Sequence, residues 1–206
     1  MKVIALGIAA LAAAGPTIAT TPAAASAITA PPCVVEQKYY DRAPWNGSNG
    51  FWLSRAVHCL INAERAKAGL PPLTRRIATK HPLDAAAESH AVAAVRQKWW
   101  RPGADSHTNP QTGSTPASRV RGAGYCPNPR SWAVSEITYT GWGGSGTPKA
   151  AVHWWTNVSK AGHREIVLSP SLTDIGVGVR QGAADPAGAG ASQAGTYVVA
   201  FGRCQQ

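Results

Sequence analysis

The chain has 206 residues, 44% hydrophobic and only 15% charged, with a formal net charge of +10. That length suits one domain with a core of its own, and nothing after the leader is apolar enough to span a membrane. The positive balance favours anionic neighbours such as wall polymers or lipid headgroups, but the arginines are scattered, with no basic run and no nucleic-acid motif, so a nucleic-acid partner is not expected.

The first residues, MKVIALGIAALAAAGPTIATTPAAASA, place Lys2 before an apolar run and end on the small-residue triplet Ala25-Ser26-Ala27. This is the three-part pattern of a signal peptide over residues 1–27. Gly15 and Pro16 break the run, which argues against a membrane anchor. Residues 28–50, with Pro31-Pro32, Pro44 and Gly47, read as an extended arm, and residues 51–206 as the folded domain.

From Leu53 apolar residues recur at helical spacing until Gly69 and Pro71-Pro72 stop the helix. A second helix opens at Pro82, carries Leu83, Ala87, His90 and Ala94 along one side, and is expected to end near Trp99-Trp100. A Ser or Thr cap with Pro116 just inside predicts a short third helix closed by Gly122 or Gly124, and Thr147-Pro148 predicts a fourth. VSEITYT, TDIGVGV and TYVVAFG read as strands. QGAADPAGAGASQAG, between the last two, reads as a mobile hairpin tip rather than a site. Helices first and strands late predict an α/β arrangement with a small antiparallel sheet covered by helices.

Four cysteines, Cys33, Cys59, Cys126 and Cys204, follow the leader, and an even count in an exported chain predicts two disulfides. Of the three connectivities, Cys33–Cys59 with Cys126–Cys204 is favoured: the first would pin the arm to a helix, the second would tie the last strand to a mid-chain loop. No Cys/His spacing fits a structural zinc site.

Six histidines and ten acidic residues are few enough to weigh singly. His90 and His153 read as packing residues, and His58 and His81, with no acidic partner at a useful spacing, as solvated or locally capping. His107 and His163 differ, because each lies in a turn where the side chain need not pack. Glu136 is a carboxylate inside an apolar strand, where it must pair, bind a cation or face an opening. There is no GxSxG elbow, HExxH, phosphate loop or glycosidase-like carboxylate pair. The tryptophan pairs Trp99-Trp100 and Trp154-Trp155 each predict one ring inward and one at the surface.

LINAERAKAGLPPL, SHTNPQTGSTPASRVRGAGYC, SEIT, AGHREIVLSPSLTDIGVGV and TYVVAFG occur in an order that resembles the CAP superfamily, named for cysteine-rich secretory proteins, antigen 5 and pathogenesis-related proteins. The likeness is greatest to its secreted bacterial branch. It implies a three-layer α-β-α sandwich and a cleft where His107, Glu136 and His163 converge. Ser135 and Ile137 flank Glu136 where the family usually has Gly and Asn, Ile166 stands where Asn is usual, and the helix before Gly162 lacks the family's second glutamate.

Two imidazoles and a carboxylate form a set that zinc accepts, with one position open to water or substrate. The resemblance favours a secreted, non-enzymatic binding module for an unknown extracellular ligand. A metal-assisted hydrolase comes second, weakened by the missing acid, and a lipid or sterol binder is the further alternative.

Overall fold

The computed structural model describes residues 33–45, 50–75 and 81–206, so the expected signal peptide and part of the arm lie outside the described residues. The predicted helices form close to their signals. Helix α1 spans Gly50–Lys67, beginning three residues before the periodic run, and Gly69 follows it with φ +70°. Helix α2 spans Pro82–Gln97 and closes on Lys98 in the left-handed region. Helix α3, Pro116–Gly122, opens on a reciprocal cap between Thr115 and Ser118. In α4, Pro148–His153, the Thr147 side chain accepts from the Ala150 N–H. Trp154–Val158 widen into a π-helical turn, and α5 is the single apolar turn His163–Val167.

Strands β1 (Ser131–Gly141), β2 (Asp174–Gln181) and β3 (Gly195–Gln205) form an antiparallel sheet in the order β1-β3-β2. Alternation along the central strand sorts its side chains between two cores. Tyr197, Val199 and Phe201 pack with Leu53, Val57 and Ile61 of α1, Val152 of α4, Trp155 of the π-helical turn and Val167 of α5. Val198 and Ala200 pack with Leu83, Ala87, Ala91 and Ala94 of α2 and Val120 of α3. The sheet is therefore the middle of three layers, as expected.

The seam between α2 and β2 explains the glycines of IGVGV. A Cβ at Gly176 would lie 2.2 Å from the Leu83 carbonyl carbon, and one at Gly178 2.4 Å from that of Ala87. Helix and strand backbones therefore approach as only glycine permits. That closeness brings α2 carboxylates onto the exposed edge of β2. The Val177 N–H donates to Asp84 Oδ1 at 2.7 Å and the Val179 N–H to Glu88 Oε2 at 3.0 Å. The Ile175 N–H donates to the Thr74 carbonyl at 3.0 Å. Three successive outward donors of an edge strand are thus closed off from pairing with another chain.

Both favoured disulfides are present, Cys33–Cys59 with Cα atoms 6.0 Å apart and Cys126–Cys204 at 5.5 Å. Two other expectations need correction. The described part of the arm is not simply extended: Glu36–Tyr39 form a 3₁₀ turn, and the buried Glu36 carboxylate accepts from Arg55 Nε of α1 at 2.7 Å. Nor is the connector between β2 and β3 a loose tip. The Ala184 N–H donates to Thr140 Oγ1 at 3.0 Å, the Ala184 carbonyl accepts from the Trp100 N–H at 3.1 Å, and Gly188 packs so closely that a Cβ there would lie 2.5 Å from the Trp142 ring. Small residues in this segment serve close packing. Among the described residues, no helix is long and apolar enough to cross a membrane.

Gly176→Ala is expected to lower stability by about 3 kcal/mol or more, a fall of roughly 6–12 °C in Tm for a domain of this size. Gly122→Ala, which would meet nothing within 4 Å, should leave Tm unchanged or slightly raised. Thermal unfolding of the two variants checks the seam.

Candidate functional site

Glu136 sits on β1 opposite Ala200 of β3, on the sheet face that meets α2 and α3. Its side chain is only 2% exposed, so the carboxylate needs partners. Arg119 of α3 supplies the main one, with Nη2 donating to Oε1 at 2.9 Å and Oε2 at 2.8 Å. The same guanidinium donates through Nη1 to the Ser114 carbonyl at 2.8 Å, while its buried Nε has no hydrogen-bond partner.

His107 Nδ1–H donates to Glu136 Oε1 at 3.0 Å, and its side chain is 36% exposed. Orientation by a carboxylate at Nδ1 leaves Nε2 pointing away from the acid, the tautomer suited to accepting a proton or a ligand donor. The loop that presents it is fixed locally. Asp105 Oδ1 accepts from the His107 N–H at 2.8 Å, and buried Asn109 accepts from the Gln111 N–H at 2.9 Å. The Thr108 hydroxyl, helped by backbone N–H groups, holds the Asp105 carboxyl below its ordinary range.

His90 of α2 forms the floor. Its Nε2 donates to the Ser106 carbonyl at 2.8 Å and lies 3.9 Å from Glu136 Oε1. Burial pushes its pKa down, with Glu136 opposing, and its buried, hydrogen-bonded place is structural, as its helical face predicts. An edgewise contact with Trp99 and a tilted one with Trp100 complete the packing.

His163, the first residue of α5, is 8% exposed and belongs to the layer whose Val167 packs in the other core. Its Nδ1 lies 2.7 Å from the Ser159 hydroxyl, and its ring centroid 5.2 Å from that of Trp154. Burial lowers its pKa, and the charge of His107 adds to the depression. The two imidazoles thus share one electrostatic neighbourhood although they belong to different layers. His58, bonded to the Leu73 carbonyl at 3.0 Å, is likewise pushed down by burial.

The donors do not fit a three-ligand metal site. Both Glu136 oxygens are held by Arg119, and among the described residues no group of three or more His, Cys, Asp or Glu side chains is placed to hold a metal ion. Three surface cavities of about 370, 340 and 380 Å³ are lined by other residues.

Residues 59–200, more than half of the chain, match the profile of the cysteine-rich secretory protein family, CAP. The chain belongs to this family. Its fold is similar to that of an outer surface protein from Borrelia burgdorferi, with 19% identity and a TM-score of 0.53 over 72% of this chain and 90% of that one. An extracellular SCP-domain protein from Bacillus anthracis str. Ames gives 17% identity and a TM-score of 0.49, over 77% of this CAP chain and 40% of that longer one. These likenesses are of fold. No curated protein sequence matches the chain.

Arg119 was missed by the sequence reading, although a carboxylate inside an apolar strand called for a partner. A guanidinium on the inward face of the capped helix just upstream is the residue that signal could have found. Two packing expectations fail. Trp99 and Trp100 are both buried, because α2 ends at Gln97 and the pair does not continue its helical phase; Trp155 is buried and Trp154 half-buried, as expected. His153 is exposed and faces Asn157 rather than the core.

Arg119→Ala strands a buried carboxylate and is expected to cost about 3–5 kcal/mol, whereas Arg119→Met with Glu136→Leu should recover most of it, as denaturant unfolding would show. The depressed histidines also set a pH dependence. Below about pH 6.5 the unfolded chain binds protons that His58, His90 and His163 resist in the fold, so stability falls as pH drops through this range. Burial raises the Glu88 carboxyl, an effect of opposite sign, so NMR titration of the individual imidazoles is the deciding measurement. Midpoints for His90 and His163 below about 6.5 are expected.

Proposed function

We propose that this CAP protein is secreted and acts as a non-enzymatic binding module, taking an extracellular ligand at the His107 face of the cluster. The observation that carries the reading is the buried ion pair in which Arg119 Nη2 donates to both Glu136 oxygens. A hydrolase of the metal-assisted kind needs an acid free to ligate or to move a proton. Glu136 is committed to a guanidinium and to orienting His107, and the helix before Gly162 carries no second acid. The cluster is neutralised internally and presents one oriented imidazole to solvent, an arrangement suited to recognition.

Two disulfides and the likeness in fold to an outer surface protein support secretion. The formal charge of +10 supports an anionic ligand such as a wall polymer or a lipid headgroup. Purified protein is expected to sediment with isolated cell walls or with vesicles of anionic phospholipid, and His107→Ala to weaken that association at least tenfold. Association untouched by His107→Ala would move the ligand elsewhere on the surface. In calorimetric titration with zinc, the parent protein is expected to show no specific site. A zinc site lost in both His107→Ala and His163→Ala, with release of products from casein, would replace this reading by the hydrolase.

A further inference from the structure

We propose that the cavity between the N-terminal arm and the β2–β3 connector is a binding subsite for a neutral sugar ring, separate from the His107 cleft. The cavity measures about 380 Å³ and is lined by Asp41, Trp45, Gly144, Thr147, Gln181 and Gln193, among others. This volume lies within the range of preformed ligand sites, at its small end. Of the chain's eight tryptophans, Trp45 has the one indole counted among the exposed large hydrophobics of the described residues, at 44%.

The chemistry of the wall selects the ligand class. A flat indole offers an apolar face on which the C–H face of a pyranose can stack. Gln181 and Gln193 are exposed, and each carboxamide offers two donors and an acceptor. Groups that donate and accept at once match sugar hydroxyls, which do the same. The wall carries one carboxylate and one guanidinium, Asp41 and Arg42, whose formal charges cancel; Asp41 also pairs with Lys149 at 3.4 Å, and Arg42 Nε donates to the Lys38 carbonyl at 2.9 Å.

The scaffold beneath is rigid. A Cβ at Gly146 would lie 2.1 Å from the Gln193 carbonyl oxygen, so the connector and the turn before α4 meet backbone to backbone, and one at Gly195 would lie 2.8 Å from Pro44 Cδ, so the proline ring of the arm packs against the start of β3. The Lys149 N–H donates to the Tyr40 carbonyl at 3.0 Å, and the Tyr197 hydroxyl to the Gly146 carbonyl at 2.8 Å. Gln193 itself is held at φ 53°, a left-handed conformation unusual outside glycine and kept where surroundings fix it. The strained residue directs its side chain from a fixed platform, and preorganisation of this kind lowers the cost of binding.

Saturation-transfer NMR on the full protein with chitotriose, cellotriose and maltotriose tests the subsite. Saturable transfer to the ring protons of at least one is expected, weakened at least tenfold by Trp45→Ala and measurably by Gln193→Ala. Phe51→Ala removes an exposed aromatic outside the cavity and should leave the signal intact. Each variant's thermal melt should match that of the parent, since Trp45 and Gln193 side chains are exposed. No transfer to any of the three sugars, or binding by Trp45→Ala equal to that of the parent, overturns the proposal.

Discussion

The approach of helix α2 to strand β2 is the constraint on which this architecture turns. Two glycines on the strand remove the side chains that would hold the layers apart, and two carboxylates one helical turn apart then reach alternate N–H groups of the strand. The match is geometric: four residues of helix advance about 6 Å and two residues of strand about 6.6 Å. Asp84 also accepts from Arg75 Nε at 3.0 Å, and Arg75 Nη2 donates to Ser54 Oγ of α1 at 2.9 Å, so the seam extends across the strand edge into the other helical layer. With α2 fixed in this way, His90 is carried to its place beneath Glu136.

That placement separates two kinds of histidine. His90 is buried among tryptophans and bonded to a carbonyl, so it supports the cluster without touching solvent. His107 receives the same carboxylate from a short, well-bonded loop and keeps a third of its side chain exposed. The difference comes from position rather than residue type. Glu136 is the common partner, and Arg119 makes its burial tolerable because its charged Nη2 donates to both oxygens.

Much of the fold was legible in the sequence because its signals are local. Proline after a Ser or Thr cap marked α3 and α4, periodicity marked α1 and α2, and β-branched runs marked the strands. The cysteine pairing also followed from where the elements were expected to lie. Pairing across the sheet and the partner of Glu136 were not legible, because both depend on residues brought together from distant parts of the chain. His107 and Glu136 could be named from turn chemistry and an out-of-place charge, whereas Arg119 looked like one scattered arginine among many. The connector misled for a related reason: small uncharged residues suit a loose linker and a tightly packed loop equally well, and only Trp142, Trp100 and Thr140 decide between them.

The order of the strands in the sheet differs from their order in the chain. β3 is the last of the three in sequence yet lies between the other two, hydrogen-bonded along both edges. Neither β1 nor β2 has a sheet partner until the final segment arrives, so assembly must wait for contacts of long sequence separation, which slow folding. The two outer strands therefore stay without a sheet neighbour until β3 joins them.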